Sequence, residues 1–102
     1  MHSFPRQVDF ASAVAVLEQA AAAGAAQQGE RVYDLSACVR YDSSLLAVLL
    51  ELVRRAEADG VGCRFEGADG NLLKLAGLYG VGALLFGQTA AAGAKPRAGA
   101  PA

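Results

Sequence analysis

The sequence has few of the residues on which metal and redox chemistry depend. Its 102 residues include no tryptophan, one histidine (His2) and two cysteines, Cys38 and Cys63. The cysteines are too far apart for a CxxC motif, and one histidine cannot complete a zinc site. We therefore predict no metal and no other cofactor, and we expect both thiols to be buried in a reducing cytoplasm.

An excess of charge of one sign is also missing. Nine basic and ten acidic side chains give a formal net charge of −1, and the basic residues are scattered along the chain. A surface for nucleic acid or for an anionic membrane would need clustered lysine and arginine. No apolar run approaches the roughly 20 residues that span a bilayer, and the first residues do not resemble a signal peptide. These features predict a cytoplasmic protein with no nucleic-acid partner and no direct membrane insertion.

Motifs for phosphate binding and for nucleophilic catalysis are absent as well. The chain has neither a GxGxxG fingerprint between a strand and a helix nor a GxxxxGK[ST] loop. A serine nucleophile at Ser43 or Ser44 would need a base, and His2 lies at the terminus. We therefore predict that the protein is not an enzyme.

The residues that are present alternate between helical and strand patterns. The first predicted element is a helix that Asp9 starts and Gly24 ends, with a thin apolar stripe of Phe10, Val14 and Leu17. A strand within 31–39, a helix over 44–59 ended by Gly60 and a strand within 62–67 follow it. The last predicted elements are a helix ended by Gly80 and a short strand or packed cap over 81–86. The alternation predicts a small single-domain α/β fold with a parallel sheet over residues 4–87. Residues 88–102 are rich in alanine, glycine and proline, and we expect them to form a disordered tail.

The helix over 44–59 has an unusually wide apolar arc. On a helical wheel its predicted core face comprises Leu45, Leu49, Leu52, Val53 and Ala56. Leu46 and Leu50 lie on the flank of that face. They either pack against a neighbouring helix of the same domain or form part of a partner surface.

The same helix begins with three residues that can all act as N-caps, Asp42, Ser43 and Ser44. One helix needs only one cap, so the motif contains a surplus of hydroxyl groups. The surplus serines are either structural or positioned for docking or modification. A phosphate would be stabilised at a helix N-terminus by the helix dipole and the free N–H groups.

These segments together resemble the STAS domain, the family named for sulfate transporters and anti-sigma factor antagonists. The resemblance rests on RVYDLS at 31–36, DSS at 42–44 opening a long helix, and LLKLAGLYGV at 72–81. It implies a small sheet with helices packed on it and a non-catalytic, protein-binding role. STAS chains begin with strand material, for which only residues 1–8 remain, so the N-terminal strand is expected to be short or missing. An uncovered sheet edge would favour a homodimer.

Two branches of the family assign different roles to the serines. In the lipid-asymmetry branch, the MlaB-like subunit supports the ATPase of an ABC transporter for phospholipids, peripheral to the inner membrane, and Ser43 matches its hydroxyl position. The ending LLKLAGLYGV favours this branch, and Tyr79 near its end is an expected partner contact. In the alternative branch, the anti-sigma factor antagonists, Ser44 matches the phosphorylated position. The predicted partner-binding residues are Asp42, Ser43, Ser44, Leu46, Leu50 and Tyr79.

Overall fold

The computed structural model describes residues 1–91, with side chains described as far as Phe86, and it confirms the predicted α/β fold. Its elements in chain order are β1 (His2–Ser3), β2 (Gln7–Val8), α1 (Ala13–Ala26), β3 (Arg31–Asp34), β4 (Arg40–Tyr41), α2 (Ser44–Ala58), β5 (Cys63–Glu66), α3 (Gly70–Leu78) and α4 (Gly82–Ala91). In this part of the chain, no helix is both long enough and apolar enough to cross a bilayer.

The strands are short and pair in parallel. β3 is the central strand of a three-stranded sheet, with β1 on one side and β5 on the other. β2 and β4 form a second parallel pair, in which Val8 lies opposite Tyr41. Because α1 follows β2 and α2 follows β4, the two helices begin next to each other at the carboxyl end of that pair.

An aromatic cluster on the central strand and the apolar face of α2 form the core. The Tyr33 ring stacks on Phe65 with a centroid separation of 5.6 Å, and Phe4 meets it edge-on at 6.1 Å. The buried residues of α2 are Leu45, Leu46, Val48, Leu49, Leu52 and Ala56. Four of the five predicted core positions are therefore buried, and Val53 is partly buried against them.

The first helix packs through a different face from the predicted one. Val16, Ala20 and Gly24 are its buried residues, whereas Phe10 and Val14 of the predicted stripe are 86% and 68% exposed. Leu17, also in that stripe, is only partly buried. The buried positions recur every four residues and are mostly small, so the helix backbone can approach the sheet closely.

Gly24 does not end α1, as the sequence predicts, but lies inside the helix. A Cβ atom built on Gly24 would be 2.0 Å from the Tyr33 hydroxyl oxygen. This glycine is therefore required by the close approach of α1 to β3, and the helix continues to Ala26. The predicted cap residue Asp9 does act near the start, because it exchanges hydrogen bonds with Ser12 in the turn before α1.

Regular secondary structure forms both in the first residues of the chain and over 81–86. The N-terminal strand is present but short: the Phe4 N–H donates to the Asp34 carbonyl at 2.9 Å, and Pro5 separates β1 from β2. The segment over 81–86 belongs to a helix, α4, with Leu85 buried. Since α4 reaches Ala91, it runs past residue 87, where the sequence places the end of the domain. Residues 92–102 of the predicted tail lie outside the described residues.

Candidate functional site

The candidate site lies at the N-terminus of α2, where Asp42 is the residue that caps the helix. Its Oδ1 accepts a hydrogen bond from the Ser44 N–H at 2.9 Å and another from the Ser44 hydroxyl. Its Oδ2 accepts from the N–H of Phe10, at 3.2 Å, in the turn before α1. The hydroxyl and then the N–H of Ser44 hold the pKa of Asp42 below its ordinary value, so this carboxylate stays charged. Asp42 thus joins the starts of α1 and α2.

Ser43 is the serine that the capping network does not use. Its backbone already has helical angles, with φ −64° and ψ −16°, and its side chain makes no capping hydrogen bond. The residue is exposed at the first turn of the helix. Its hydroxyl is therefore available to a partner without disturbing the helix cap.

Ser44 is in a different situation, although it neighbours Ser43. It is only partly exposed, and its hydroxyl donates to the Asp42 carboxylate. A phosphate on Ser44 would remove this hydrogen bond and place a second negative group beside the carboxylate. The geometry accordingly separates the two serines: Ser44 completes the cap network, and Ser43 faces solvent.

A shallow depression of about 360 Å³ adjoins Asp42 on the side of β4 and α3. It is lined by Gln7, Asp9, Val39, Arg40, Tyr41, Asp42 and Asn71. The Tyr41 hydroxyl donates to Oδ1 of Asp69, at 2.9 Å, and Asp69 in turn caps α3 by accepting from the Leu72 N–H. Desolvation, followed by the bond to Asp69, raises the pKa of Tyr41, so the phenol remains a neutral donor. These bonds hold the floor of the depression to the start of α3.

The remaining predicted contact residues are differently placed. Leu46 is 3% exposed and belongs to the core, so it cannot contribute to a surface; the alternative that it packs within the domain is the correct one. Leu50 is partly buried. Tyr79 is 59% exposed at the end of α3, immediately before Gly80 turns the chain with a φ of +75°.

The histidine and the two cysteines lie apart from any candidate metal site in the described residues. No three His, Cys, Asp or Glu side chains in residues 1–91 are grouped as metal ligands would be. His2 packs edge-on against Phe4 and Tyr33 in the aromatic cluster. Both cysteines are buried, as predicted, and burial raises the pKa of Cys63 to about 11.

The described residues form a small α/β domain with short parallel strands, and it displays an exposed serine, Ser43, at the N-terminus of a helix. A family model described as the MlaB, STAS domain matches residues 7–86. The chain therefore belongs to the STAS-domain family, whose members are generally binding and regulatory domains rather than enzymes. A comparison with curated proteins gives no significant match.

Sequence reasoning missed one part of this site, the turn that precedes α1. The sequence pattern places Phe10 in the apolar stripe of the first helix because it is apolar and fits the helical spacing of Val14 and Leu17. In the structure α1 begins only at Ala13, and the hydrogen bonds that Asp9 exchanges with Ser12 lie in the turn that contains Phe10.

Proposed function

We propose that this chain is a non-catalytic, cytoplasmic STAS subunit that binds and supports the ATPase of an ABC transporter for phospholipids. In that role it is peripheral to the inner membrane through its partner. The matching family model, which is named for the MlaB-type domain and spans most of the chain, supports this assignment. In this role the chain is a rigid docking subunit that catalyses no reaction of its own.

The observation that carries the proposal is the different hydrogen bonding of the two serine hydroxyl groups. Asp42 and Ser44 form the cap network, and this leaves the Ser43 hydroxyl exposed on a fixed helix end. A hydroxyl can both donate and accept a hydrogen bond, so it can pair with a backbone group of the partner. Because its position is set by the helix, docking costs little conformational entropy.

Support of the ATPase follows from mass action. A subunit that binds only the folded ATPase shifts the folding equilibrium of the ATPase toward the folded state, by an amount that grows with its concentration over Kd. The partly buried Leu50, about two turns along α2 from Ser43, would add apolar contact beside the hydrogen bond. The exposed Tyr79 is a further proposed contact.

The test is the affinity for the purified ATPase subunit of a phospholipid ABC transporter encoded in the same genome, measured by isothermal titration calorimetry. Ser43→Asp should weaken binding several-fold, because it removes the hydroxyl and adds a charge while a helix N-terminus tolerates aspartate. Gln28→Asp is the matched control: it adds the same charge beyond the far end of α1, about 20 Å along that helix.

Three results would contradict the proposal. Absence of binding by the unmodified chain rules out the ATPase as partner, and equal affinity of the Ser43→Asp variant removes Ser43 from the interface. Phosphate on Ser44 in protein isolated from its own cells, together with binding to a serine kinase, would instead assign the chain to the anti-sigma factor antagonists.

A further inference from the structure

The turn before α1 displays an aromatic side chain that the described residues leave almost uncovered. Phe10 is 86% exposed, more than any other large apolar residue described in the chain. Val14, one turn later, is 68% exposed. Single exposed apolar residues are common on protein surfaces, whereas these two lie four residues apart around the start of one helix, and we call the pair the α1 patch.

The patch is fixed to the serine site rather than separate from it. The Phe10 N–H donates to Oδ2 of Asp42, the same carboxylate that caps α2 through Oδ1. Asp9, the neighbour of Phe10, is held by bonds from the Gln7 side chain and the Ser12 N–H. The aromatic ring and the Ser43 hydroxyl therefore emerge from one hydrogen-bonded framework, and a single partner can contact both.

The charge around the patch limits what can cover it. Along residues 10–28 the only charged side chain is Glu18. The depression that adjoins Asp42, the residue bonded to the Phe10 N–H, is lined by the carboxylates of Asp9 and Asp42 and by one basic side chain, Arg40, so the charges of its lining sum to a negative value. An anionic membrane surface would be repelled by this end of the domain. A second copy would bring the same carboxylates near each other, which disfavours self-association through this patch.

We infer that Phe10 and Val14 form the apolar half of the docking surface whose polar half is Ser43, and that its occupant is the partner protein itself. This inference rests on the proposed function. The partner surface it fits has an apolar pocket that receives the Phe10 ring, bordered by a lysine or arginine that faces Asp9 and Asp42. An aromatic anchor in a pocket surrounded by polar contacts is the usual composition of an energetic hot spot.

The experiment uses the full chain and the same purified ATPase subunit. Phe10→Ser should weaken binding about tenfold, the effect of losing an aromatic anchor, while leaving the melting temperature unchanged because the side chain is exposed. Leu84→Ser is the matched control, since Leu84 is 62% exposed and lies on α4. Affinity of the unmodified pair should also fall as NaCl is raised from about 50 to about 500 mM, which screens the charges.

The outcomes separate this inference from the proposed function. If the unmodified chain does not bind the ATPase, the function fails and the docking surface fails with it. If the chain binds and Ser43→Asp weakens it but Phe10→Ser does not, only the apolar half is overturned. Equal losses for Phe10→Ser and Leu84→Ser also overturn it, because the effect is then not specific to the α1 patch. An affinity that does not change with salt refutes the lysine or arginine proposed at the border of the partner's pocket.

Discussion

Replacing Gly24 by alanine tests how closely α1 packs on the sheet, and hence what positions the proposed docking surface. A Cβ at this position would be 2.0 Å from the Tyr33 hydroxyl oxygen, 3.1 Å from its Cζ and 3.2 Å from Cδ of Arg31. Ordinary van der Waals contact begins at 3.4 Å. Either the tyrosine or the whole helix would have to move by more than an ångström.

The tyrosine is poorly able to move. It is 1% exposed, with Phe65 stacked on its ring and Phe4 packed against it edge-on. Filling an already packed site costs about 1–3 kcal/mol, and a ring held on several sides puts the cost at the upper end of that range. Alanine in a helix interior is intrinsically better than glycine by about 1 kcal/mol. The net expected loss for Gly24→Ala is about 2 kcal/mol, or a fall of about 10 °C in Tm.

The assay is thermal and urea unfolding followed by circular dichroism, with Gly77→Ala as the control. Gly77 lies inside α3, and a Cβ there would meet nothing within 4 Å. Gly77→Ala should therefore stabilise the protein by up to about 1 kcal/mol, the intrinsic helix preference alone. In a Tyr33→Phe background the cost of Gly24→Ala should shrink, because the closest atom is gone. A Gly24→Ala protein that melts as high as Gly77→Ala would refute the close packing of α1 on β3.

Two further predictions concern α2 and its cap. Leu46→Ala should destabilise the fold by about 2–5 kcal/mol because Leu46 is a core residue, whereas Leu50→Ala should cost much less; similar losses in urea unfolding would contradict this. Stability should also fall as the pH drops below about 4. Hydrogen bonds from Ser44 and Ser36 lower the pKa of Asp42 and Asp34 respectively, so their contribution is present above the ordinary value of 3.8 and is lost as pH falls through the folded-state pKa. Urea unfolding at successive pH values measures this loss of stability. The stability of an Asp42→Asn variant should depend less steeply on pH, and a stability that rises on acidification would contradict the prediction.

The second helix shows what a sequence pattern predicts well. Its aliphatic residues are large and regularly spaced, so one face is clearly the buried one, and Gly60 ends it with the positive φ that its position requires. The motif at 42–44 is likewise visible as cap chemistry. The identity of the residue that caps, however, depends on dihedral angles and on contacts across the chain: Asp42 also accepts from Phe10, 32 residues away in the sequence. No local pattern contains that contact, so the sequence alone does not distinguish the three residues as caps.

The first helix shows why the rest could not be predicted, and the failure is informative about the site. Alanine fills most of α1, so no large side chains mark its buried face, and the position of the helix is set by how closely its small residues Ala20 and Gly24 can approach the sheet. The rule that apolar residues lie inside then assigns Phe10 and Val14 to the core, although both are exposed. The local pattern therefore predicts a buried position for these residues, whereas the fold exposes them and buries small residues instead. Such conflicts between local pattern and fold concentrate at functional sites. In this chain the conflict lies beside Ser43, so the place where sequence reasoning fails coincides with the surface proposed for docking.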